Sequence, residues 1–307
     1  MSIAQVEQIA GKGAARVAMR RALRRGEIQR DTDSRPRPGW MTYVALVIVI
    51  VVSIAPLYYA FLLASSTAAD IARNPVPSLI PQGHLFENLG RVLEADIKFW
   101  PAVINSVIVA VVTAMSVVLF STLAGFSFSR LNFRGRAPLL VFVIATMAVP
   151  TQLGIVPLFI VMSKLGWAGQ LQAVIVPGMV TAFGVFWMTQ YLQGALPYEL
   201  IEAARVDGCN LIRTFWHVAL PAARPAAAML ALFTFVGSWT NFFWPFIVLG
   251  AQNPTLPVAL QLLQATHFKD YSLIMAGVVI STLPLILVFI VAGRHLVSGI
   301  MQGAVKG

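Results

Sequence analysis

Side chains able to carry out chemistry are few and scattered along this chain. The four histidines, His84, His217, His267 and His295, have no metal-ligand spacing, and a lone cysteine, Cys209, cannot form an internal disulfide or a cysteine-built metal site. No serine lies in a Gly-x-Ser-x-Gly elbow. Gly11-Lys12 lacks the earlier glycine of a phosphate-binding loop, since Val6 occupies that position. The sequence therefore predicts that the chain is not an enzyme and binds no metal, ATP or other cofactor.

A polar loop at residues 197–222 has an order of residues suited to binding another protein. Pro197 can open a short helix, because the first turn tolerates a missing N–H. Glu199 and Glu202 then fall near the positive end of the helix dipole, and Gly208 supplies the left-handed conformation that closes the helix. We expect a compact helix–turn–helix with an acidic tip, a shape that suits insertion into a groove.

The same loop has a predicted apolar underside. In the first helix this face consists of Leu200, Ala203 and Ala204. In the second, amphipathic turn it consists of residues at helical spacing, Leu211, Ile212, Phe215 and Val218. Pro221 is expected to end this second turn.

The elements that must hold this loop are predicted to be membrane helices. Hydrophobic residues make up 58% of the 307 residues and charged residues only 11%, far below the usual quarter of a soluble domain. Six segments have about 20 apolar residues each and contain no Lys, Arg, Asp or Glu. They are Met41–Leu63, Val103–Phe128, Ala137–Met162, Leu171–Gly194, Ala226–Leu249 and Leu273–Ala292. We expect an all-α, polytopic membrane protein with six transmembrane helices.

The distribution of cations predicts the orientation of these helices. Most of the 22 Lys and Arg residues lie in the N-terminal tail, the loops after the second and fourth spans, and the C-terminal tail. The positive-inside rule places both termini, and the 197–222 loop between helices 4 and 5, in the cytoplasm. The expected location is the bacterial plasma (inner) membrane.

This pattern divides the chain into residues 1–40 as a basic cytoplasmic tail, residues 41–295 as the transmembrane domain, and residues 296–307 as a cytoplasmic C-terminal tail. Within the first tail, Ala14 to Arg25 could form a basic helix on anionic lipid, or the whole tail could be disordered and only fix the topology. Nucleic acid is not expected as a partner despite the net charge of +10, because no aromatic residue before Trp40 interleaves the arginines.

The 197–222 loop resembles the "EAA" loop of ABC importer permeases. The resemblance lies in Glu202-Ala203-Ala204, in Asp207-Gly208 and in Leu220-Pro221. The chain is similar above all to the maltose-type, carbohydrate-importing branch, through residues 70–71, 77–81 and 87–89, Asn105-Ser106, Trp239 to Leu249 and the end at 303–307. It departs from that branch at Thr240-Asn241, where an Asn and an acid are usual, at Cys209-Asn210 and at Ile300-Met301.

The resemblance implies a permease that contacts a cytoplasmic ABC ATPase dimer, which binds the ATP and Mg. The implied ATPase-coupling residues are Glu202, Ala203, Ala204, Asp207, Gly208, Phe215, Leu220 and Pro221, with the tail residues Gly303, Ala304, Val305, Lys306 and Gly307 reaching between the ATPase subunits. A homologous second permease, an extracytoplasmic solute-binding protein and membrane lipid are the other expected partners. The expected cargo is a sugar or oligosaccharide.

A possible translocation path follows the fifth predicted span. Its candidate residues are Trp239, Thr240, Asn241 and Trp244, and Asn241 is the first choice because an amide at mid-span needs a partner. Aromatic residues at helical spacing are more often packing or interfacial anchors than a sugar site.

Three alternatives remain open at this point. The importer could carry another solute, such as a phosphorylated polyol or an amino-sugar derivative. The chain could be a stand-alone secondary transporter, although its spans lack the acidic or basic residues that ion-coupled carriers commonly use. An integral membrane enzyme would need a polar catalytic cluster, which the sequence does not offer.

Overall fold

The computed structural model describes residues 39–74, 76, 78–264 and 269–304, and their side chains as far as residue 291. All regular secondary structure in these ranges is helical, which confirms the predicted all-α class. The helices are α1 Trp40–Ala64, α2 Ala68–Arg73, α3 Leu85–Glu94, α4 Phe99–Arg130, α5 Arg136–Thr146, α6 Ile155–Lys164, α7 Gln172–Gly178, α8 Ala182–Ala195, α9 Tyr198–Val206, α10 Leu211–Thr214, α11 Leu220–Ala222, α12 Arg224–Trp239, α13 Phe243–Leu249, α14 Leu256–Leu262 and α15 Tyr271–Ala304. Residues 1–38 of the predicted basic tail lie outside the described residues.

Several of these helices are long and apolar enough to cross a membrane. Four stretches qualify by length and composition: Trp40–Ala64, Phe99–Arg130, Gln172–Ala195 and Tyr271–Val291. The number rises to six if each of two sharply bent helix pairs is one span. The chain is therefore polytopic, and the first, second and last predicted spans are confirmed as continuous helices.

The third predicted span, Ala137–Met162, is not one straight helix. It consists of α5 and the helical stretch Thr151–Lys164, which meet at a bend of 88°. Pro150 lies at the break and a 3₁₀ turn follows over Thr151–Gly154. Proline lacks the N–H that would continue the ladder, and its ring disfavours a helical conformation in the preceding residue, so Pro150 favours a break at this point.

The fourth and fifth predicted spans are each interrupted near the middle. Within Leu171–Gly194, α7 ends at Gly178 and α8 begins at Ala182. The predicted span Ala226–Leu249 is divided between α12 and α13, with residues 240–242 between them. Pro245 accounts for the second interruption, because it cannot donate to the carbonyl of Asn241 one turn earlier.

The chain divides into two compact units, residues 1–55 and 56–307. The described part of the first unit is residues 39–55, the N-terminal two-thirds of α1, and its apolar side chains are exposed. A lipid-facing or partner-facing helix is expected to have this composition, since no charged side chain lies on its described surface.

In the second unit α4 is the central helix, with α8 and α12 packed along it. Small residues on α4 allow the close approach to α8. A Cβ on Gly125 would lie only 2.7 Å from the Cβ of Met188, so this position has no room for any side chain. Small residues at such contacts are the usual device for packing helices inside a membrane.

Candidate functional site

The 197–222 loop begins with the short helix that the sequence predicts. Pro197 occupies the N-cap position of α9, and Glu199 lies in its first turn. At the other end Gly208 has a φ of +78°, and its N–H lies 3.0 Å from the carbonyl of Arg205. The N–H of Cys209 donates to the carbonyl of Ala204 at 2.9 Å, so the left-handed glycine closes the helix and reverses the chain.

The apolar face of α9 differs from the prediction. Ile201 and Ala204 are buried, whereas Leu200 and Ala203 are exposed. The reason is the direction in which the loop folds back against the bundle. Ile201 and Ala204 are three residues apart and share the face of α9 that packs on the bundle, whereas Leu200 and Ala203 lie on the neighbouring face, which points away from it. Glu202 and Ala203 therefore lie on the outer face, together with Val206, which is 88% exposed.

The second part of the loop also differs from the predicted amphipathic turn. Asn210 caps α10 by accepting a hydrogen bond from the N–H of Arg213 at 2.9 Å. Phe215 is buried as expected, but Leu211 and Ile212 are exposed, Ile212 by 70%. Two large apolar side chains thus stand on the outer surface of the loop beside the acidic face of α9, where no described part of the chain covers them.

A π-helical turn over Phe215–Ala219 connects α10 to α11. The N–H of Leu220 donates to the carbonyl of Phe215, five residues back. Pro221 explains this widening, because its ring would clash with the carbonyl four residues back in a regular helix. Pro221 does not itself end the helical segment: it continues to Ala222, and a bend of 77° then leads into α12.

The inner side of the loop is fixed to the bundle. Ile201, Phe215 and Ala219 belong to one buried cluster with residues of α4, α8 and α12. The ring of Phe215 lies 6.2 Å from that of Phe126 on α4. A force applied to the outer face of the loop would therefore be transmitted to α4 and α8, because the inner side of the loop is packed against these helices.

The remaining predicted coupling residues divide between these two sides. Asp207 is the C-cap residue of α9 and is exposed, and Leu220 packs partly against the buried cluster. In the predicted tail, Gly303 and Ala304 belong to the backbone of α15, and Val305, Lys306 and Gly307 lie outside the described residues.

The four residues of the predicted translocation path are not gathered in one place. Trp239 is buried, stacks on Phe235 with ring centroids 5.9 Å apart, and donates its indole N–H to the carbonyl of Ser281 at 3.2 Å. The hydroxyl of Thr240, the residue after the end of α12, donates to the carbonyl of Val236 in α12 at 2.8 Å. Trp244 donates its indole N–H to the carbonyl of Ala173 at 3.0 Å.

Asn241 lies instead in the wall of an open cavity of about 320 Å³. The polar residues of this wall are Thr113, Thr181, Thr234, Ser238 and Asn241, and the rings of Phe183 and Phe233 line it as well. Except for Asn241, these residues do not appear among the sequence-based candidates. The sequence contains a signal for part of the wall, because positions 234, 238 and 241 fall on one face of the predicted fifth span.

An ion pair joins α3 to the start of α15. Arg91 Nη2 lies 2.7 Å from Asp270 Oδ2, and Arg91 also donates to the amide oxygen of Asn88. Asn88 in turn donates to the carbonyls of Ala64 and Ser66 at 2.9 Å. Burial acts to raise the pKa of Asp270, but hydrogen bonds from Ser272, Arg91 and the N–H of Leu273 outweigh it and leave the pKa below 3.8.

A second polar cluster holds the segment before α14. The side-chain amide of Asn105, on α4, donates to the amide oxygen of Asn253 at 2.8 Å and to the carbonyl of Pro254 at 2.9 Å. The hydroxyl of Ser106 accepts from the N–H of Leu256 at 2.7 Å. Throughout the described part of the chain, no three His, Cys, Asp or Glu residues are grouped closely enough to hold a metal ion.

The sequence of this chain is similar to the sequences of known transport proteins. A family model described as "Binding-protein-dependent transport system inner membrane component" matches residues 117–302. The arabinooligosaccharides transport system permease protein AraQ of Halalkalibacterium halodurans is 30% identical over 274 residues, which are 89% of this chain and 98% of AraQ. The lactose transport system permease protein LacG of Rhizobium radiobacter is 29% identical over 90% of this chain and 99% of LacG.

A similar fold is found among solved structures. One chain of a bacterial ABC transporter involved in the import of the acidic polysaccharide alginate superimposes with a TM-score of 0.71 at 24% identity. The match covers 87% of the present chain and 99% of that chain. The helical arrangement is thus shared over nearly the whole length of the solved structure.

Proposed function

The chain belongs to the family of inner membrane components of binding-protein-dependent transport systems, and we propose that it is the membrane-spanning permease subunit of an ATP-driven importer for a sugar or oligosaccharide. The cargo class is supported by AraQ and LacG, which are similar to this chain over almost their entire length. A phosphorylated polyol or an amino-sugar derivative is the alternative cargo. We propose the same partners that the sequence implies: an ATPase dimer, a second permease and an extracytoplasmic binding protein.

The observation that carries this proposal is the division of the 197–222 loop into a fixed inner side and a free outer side. Ile201 and Phe215 are buried against the bundle, and Glu202, Val206 and Ile212 are exposed on the other side. An acidic and apolar outer surface is suited to a groove on a separate protein, and the buried side would carry the motion of that protein into the helices.

The proposed orientation has six spans and both termini in the cytoplasm. It treats α5 with Thr151–Lys164 as the third span and α12 with α13 as the fifth, and it places the 197–222 loop on the same side as the termini. The excess of Lys and Arg on that side supports this arrangement. Arg91 and Asp270 would then lie at the extracytoplasmic surface.

Charge reversal at Glu202 tests the contact with the ATPase. Glu202 is exposed and outside the buried cluster, so Glu202→Lys should leave the fold intact. It replaces the negative charge with a positive one, which would be repelled by, or left unpaired against, the residues of the partner's groove that bind the carboxylate. We expect about a tenfold or greater loss of ATPase co-purification from membranes, with normal insertion of the permease. Glu94→Lys, an exposed acid on α3, is the matched control and should have no effect.

Uptake measurements test the cargo. The permease, its sister subunit and the ATPase are placed in liposomes with ATP and the binding protein, and uptake of arabinotriose, lactose and glycerol 3-phosphate is compared. Uptake of a neutral sugar supports the proposal, and uptake of glycerol 3-phosphate alone would contradict a sugar as the cargo.

For the charge reversal, retained association of the ATPase with the Glu202→Lys permease would contradict the coupling role of Glu202.

A further inference from the structure

Arg130, the last residue of α4, is hydrogen-bonded to the end of α8. Its Nη2 donates to the carbonyl oxygens of Leu192 and Gln193 at 2.9 and 2.5 Å. These carbonyls lie in the last turn of α8, which ends at Ala195, just before Pro197. A cation at this place also interacts favourably with the negative end of the helix dipole. Arg130 therefore holds the backbone through which the chain enters the 197–222 loop.

This arginine is an unfavourable choice for simply packing two helices together. Its Nε–H is buried and has no hydrogen-bond acceptor within the described structure. Neither of the two ion pairs in the described part of the chain includes it. A buried N–H without a partner and a charge without a counter-charge both cost free energy that an apolar side chain would not. A cation in this situation at the edge of a membrane span indicates a functional role.

The exit of the loop is attached to the same end of α4. The ring of Phe215 lies 6.2 Å from that of Phe126, and both rings belong to one buried cluster. Positions 126 and 130 are one helical turn apart and share a face of α4. Both ends of the loop are thus joined to one turn of one helix, the entry through Arg130 and the exit through Phe126.

Among the helices of that cluster, α4 is the continuous one. The helix α8 begins after the break at residues 179–181, and α12 ends at the break at residues 240–242. The 32 residues of α4 give it a length of about 48 Å, which exceeds the hydrocarbon core of about 30 Å. A displacement of α8 or α12 can be absorbed by bending at the break, whereas a displacement of α4 moves the whole span.

The other end of α4 is also firmly attached. Asn105 donates to the amide oxygen of Asn253 and to the carbonyl of Pro254, and Ser106 accepts from the N–H of Leu256. These bonds hold the segment before α14 on the side of the bundle opposite to the 197–222 loop. The helix α4 therefore connects this segment directly to the loop.

We propose that Arg130 is a positioning residue for transport: it makes the entry of the 197–222 loop move together with α4. The inference rests on the proposed importer function. Hydrogen bonds are directional and fix the end of α8 relative to α4, whereas the apolar contact between Phe126 and Phe215 is non-directional and allows sliding. Movement that the ATPase imposes on the loop thereby becomes movement of the whole α4 span. Without Arg130, ATP is hydrolysed but the span follows the loop poorly.

Three substitutions test this role. Arg130→Met keeps an unbranched side chain but removes the hydrogen bonds and the unpaired Nε–H. Arg130→Lys is the conservative variant, because an ammonium group can still donate to the carbonyls of α8. Arg134→Met is the matched control: Arg134 is an exposed residue of the loop that follows α4, so this variant removes the same charge from the same side.

The measurement is uptake of arabinotriose and lactose by the complete importer in liposomes, with ATP hydrolysis followed in the same vesicles. Arg130→Met should lower the sugar taken up per ATP hydrolysed about tenfold, and the stimulation of hydrolysis by the binding protein by a similar factor. The amount of assembled complex should not change, and the thermal unfolding midpoint should stay the same or rise. Arg130→Lys should recover most of the coupling, and Arg134→Met should match the unaltered complex.

An unchanged ratio of uptake to hydrolysis in Arg130→Met would overturn the proposal. A parallel fall in uptake, hydrolysis and assembled complex, with a lower unfolding midpoint, would also overturn it, because Arg130 would then only stabilise the fold. An equal effect of Arg134→Met would assign the result to the lost charge.

Failure of the unaltered complex to take up either sugar would contradict the proposed cargo instead. The stimulation of ATP hydrolysis by the binding protein would then still decide the role of Arg130, since its loss in Arg130→Met supports the proposal and its retention refutes it.

Discussion

The indole N–H of Trp244 on α13 donates to the carbonyl oxygen of Ala173 on α7 at a distance of 3.0 Å. In a regular helix this carbonyl would accept from the residue four positions later. That residue is Pro177, which has no N–H to donate. Trp244 thus supplies from a neighbouring helix the donor that the proline lacks, and it joins the two interrupted spans beside the cavity.

Replacement of Trp244 tests this compensation. Trp244→Phe keeps most of the apolar bulk but leaves the carbonyl of Ala173 unpaired, and we expect a loss of about 1 kcal/mol of stability. The measurement is the thermal unfolding midpoint of the purified protein in detergent. Trp100→Phe is the control, since Trp100 is an exposed residue of α4. Equal midpoints for the two variants would show that the hydrogen bond contributes nothing.

Cys209 reports which side of the membrane the 197–222 loop occupies. It is the only cysteine of the chain, it follows Gly208 in the turn of the loop, and it is partly exposed. A membrane-impermeant maleimide should label it in inside-out vesicles and not in right-side-out vesicles. Added ATPase should reduce the labelling, because Cys209 lies next to the proposed contact surface.

The control for this experiment is Cys209→Ser, which should remain unlabelled in both kinds of vesicle. Labelling from the right-side-out direction would refute a cytoplasmic loop and, with it, the proposed orientation of all the spans.

The ion pair between Arg91 and Asp270 predicts a particular dependence of stability on pH. The pKa of Asp270 in the folded protein lies below its ordinary value of 3.8. A carboxylate with a lowered pKa stabilises the fold above its ordinary pKa, and this contribution is lost as the pH falls through the lower folded-state value. The contribution should therefore be complete near neutral pH, begin to fall near the ordinary pKa of 3.8, and disappear once the pH is below the folded-state value.

Asp270→Asn isolates that contribution. An asparagine can still accept hydrogen bonds from the N–H groups of Ser272 and Leu273, so the start of α15 remains capped while the ion pair is lost. We expect a loss of about 0.5 kcal/mol at neutral pH and none in acid, measured as unfolding midpoints across this range. Asp96→Asn, at an exposed position, should match the unaltered protein throughout. A constant difference at every pH would mean that the charge of Asp270 is irrelevant.

Local sequence rules account well for the 197–222 loop. The helix after Pro197, the acidic first turn and the reversal at Gly208 are all present, because each depends on neighbouring residues and on the backbone alone. The predicted apolar faces were less accurate. Leu200 and Leu211 are as apolar as the buried Ile201, and only the direction of approach of the bundle decides which of them is covered.

The same distinction applies to the membrane helices and the candidate path. Continuous apolar segments predicted the helices at Trp40, Phe99 and Tyr271. The breaks near Pro150 and Pro245 were not predicted, because membrane helices often accommodate proline without a break. Whether one breaks depends on the partners that its neighbours offer.

By itself the sequence determined the helical class, the apolar segments and the chemistry of the exposed loop, since these follow from composition and from interactions within a few residues. The tertiary structure alone decided that Thr113, Ser238 and Asn241 share one cavity while Trp239 and Trp244 bind backbone carbonyls elsewhere. The physical reason is that a polar side chain in a membrane takes whichever partner the packed helices bring within hydrogen-bond distance, and residues far apart in the sequence supply those partners.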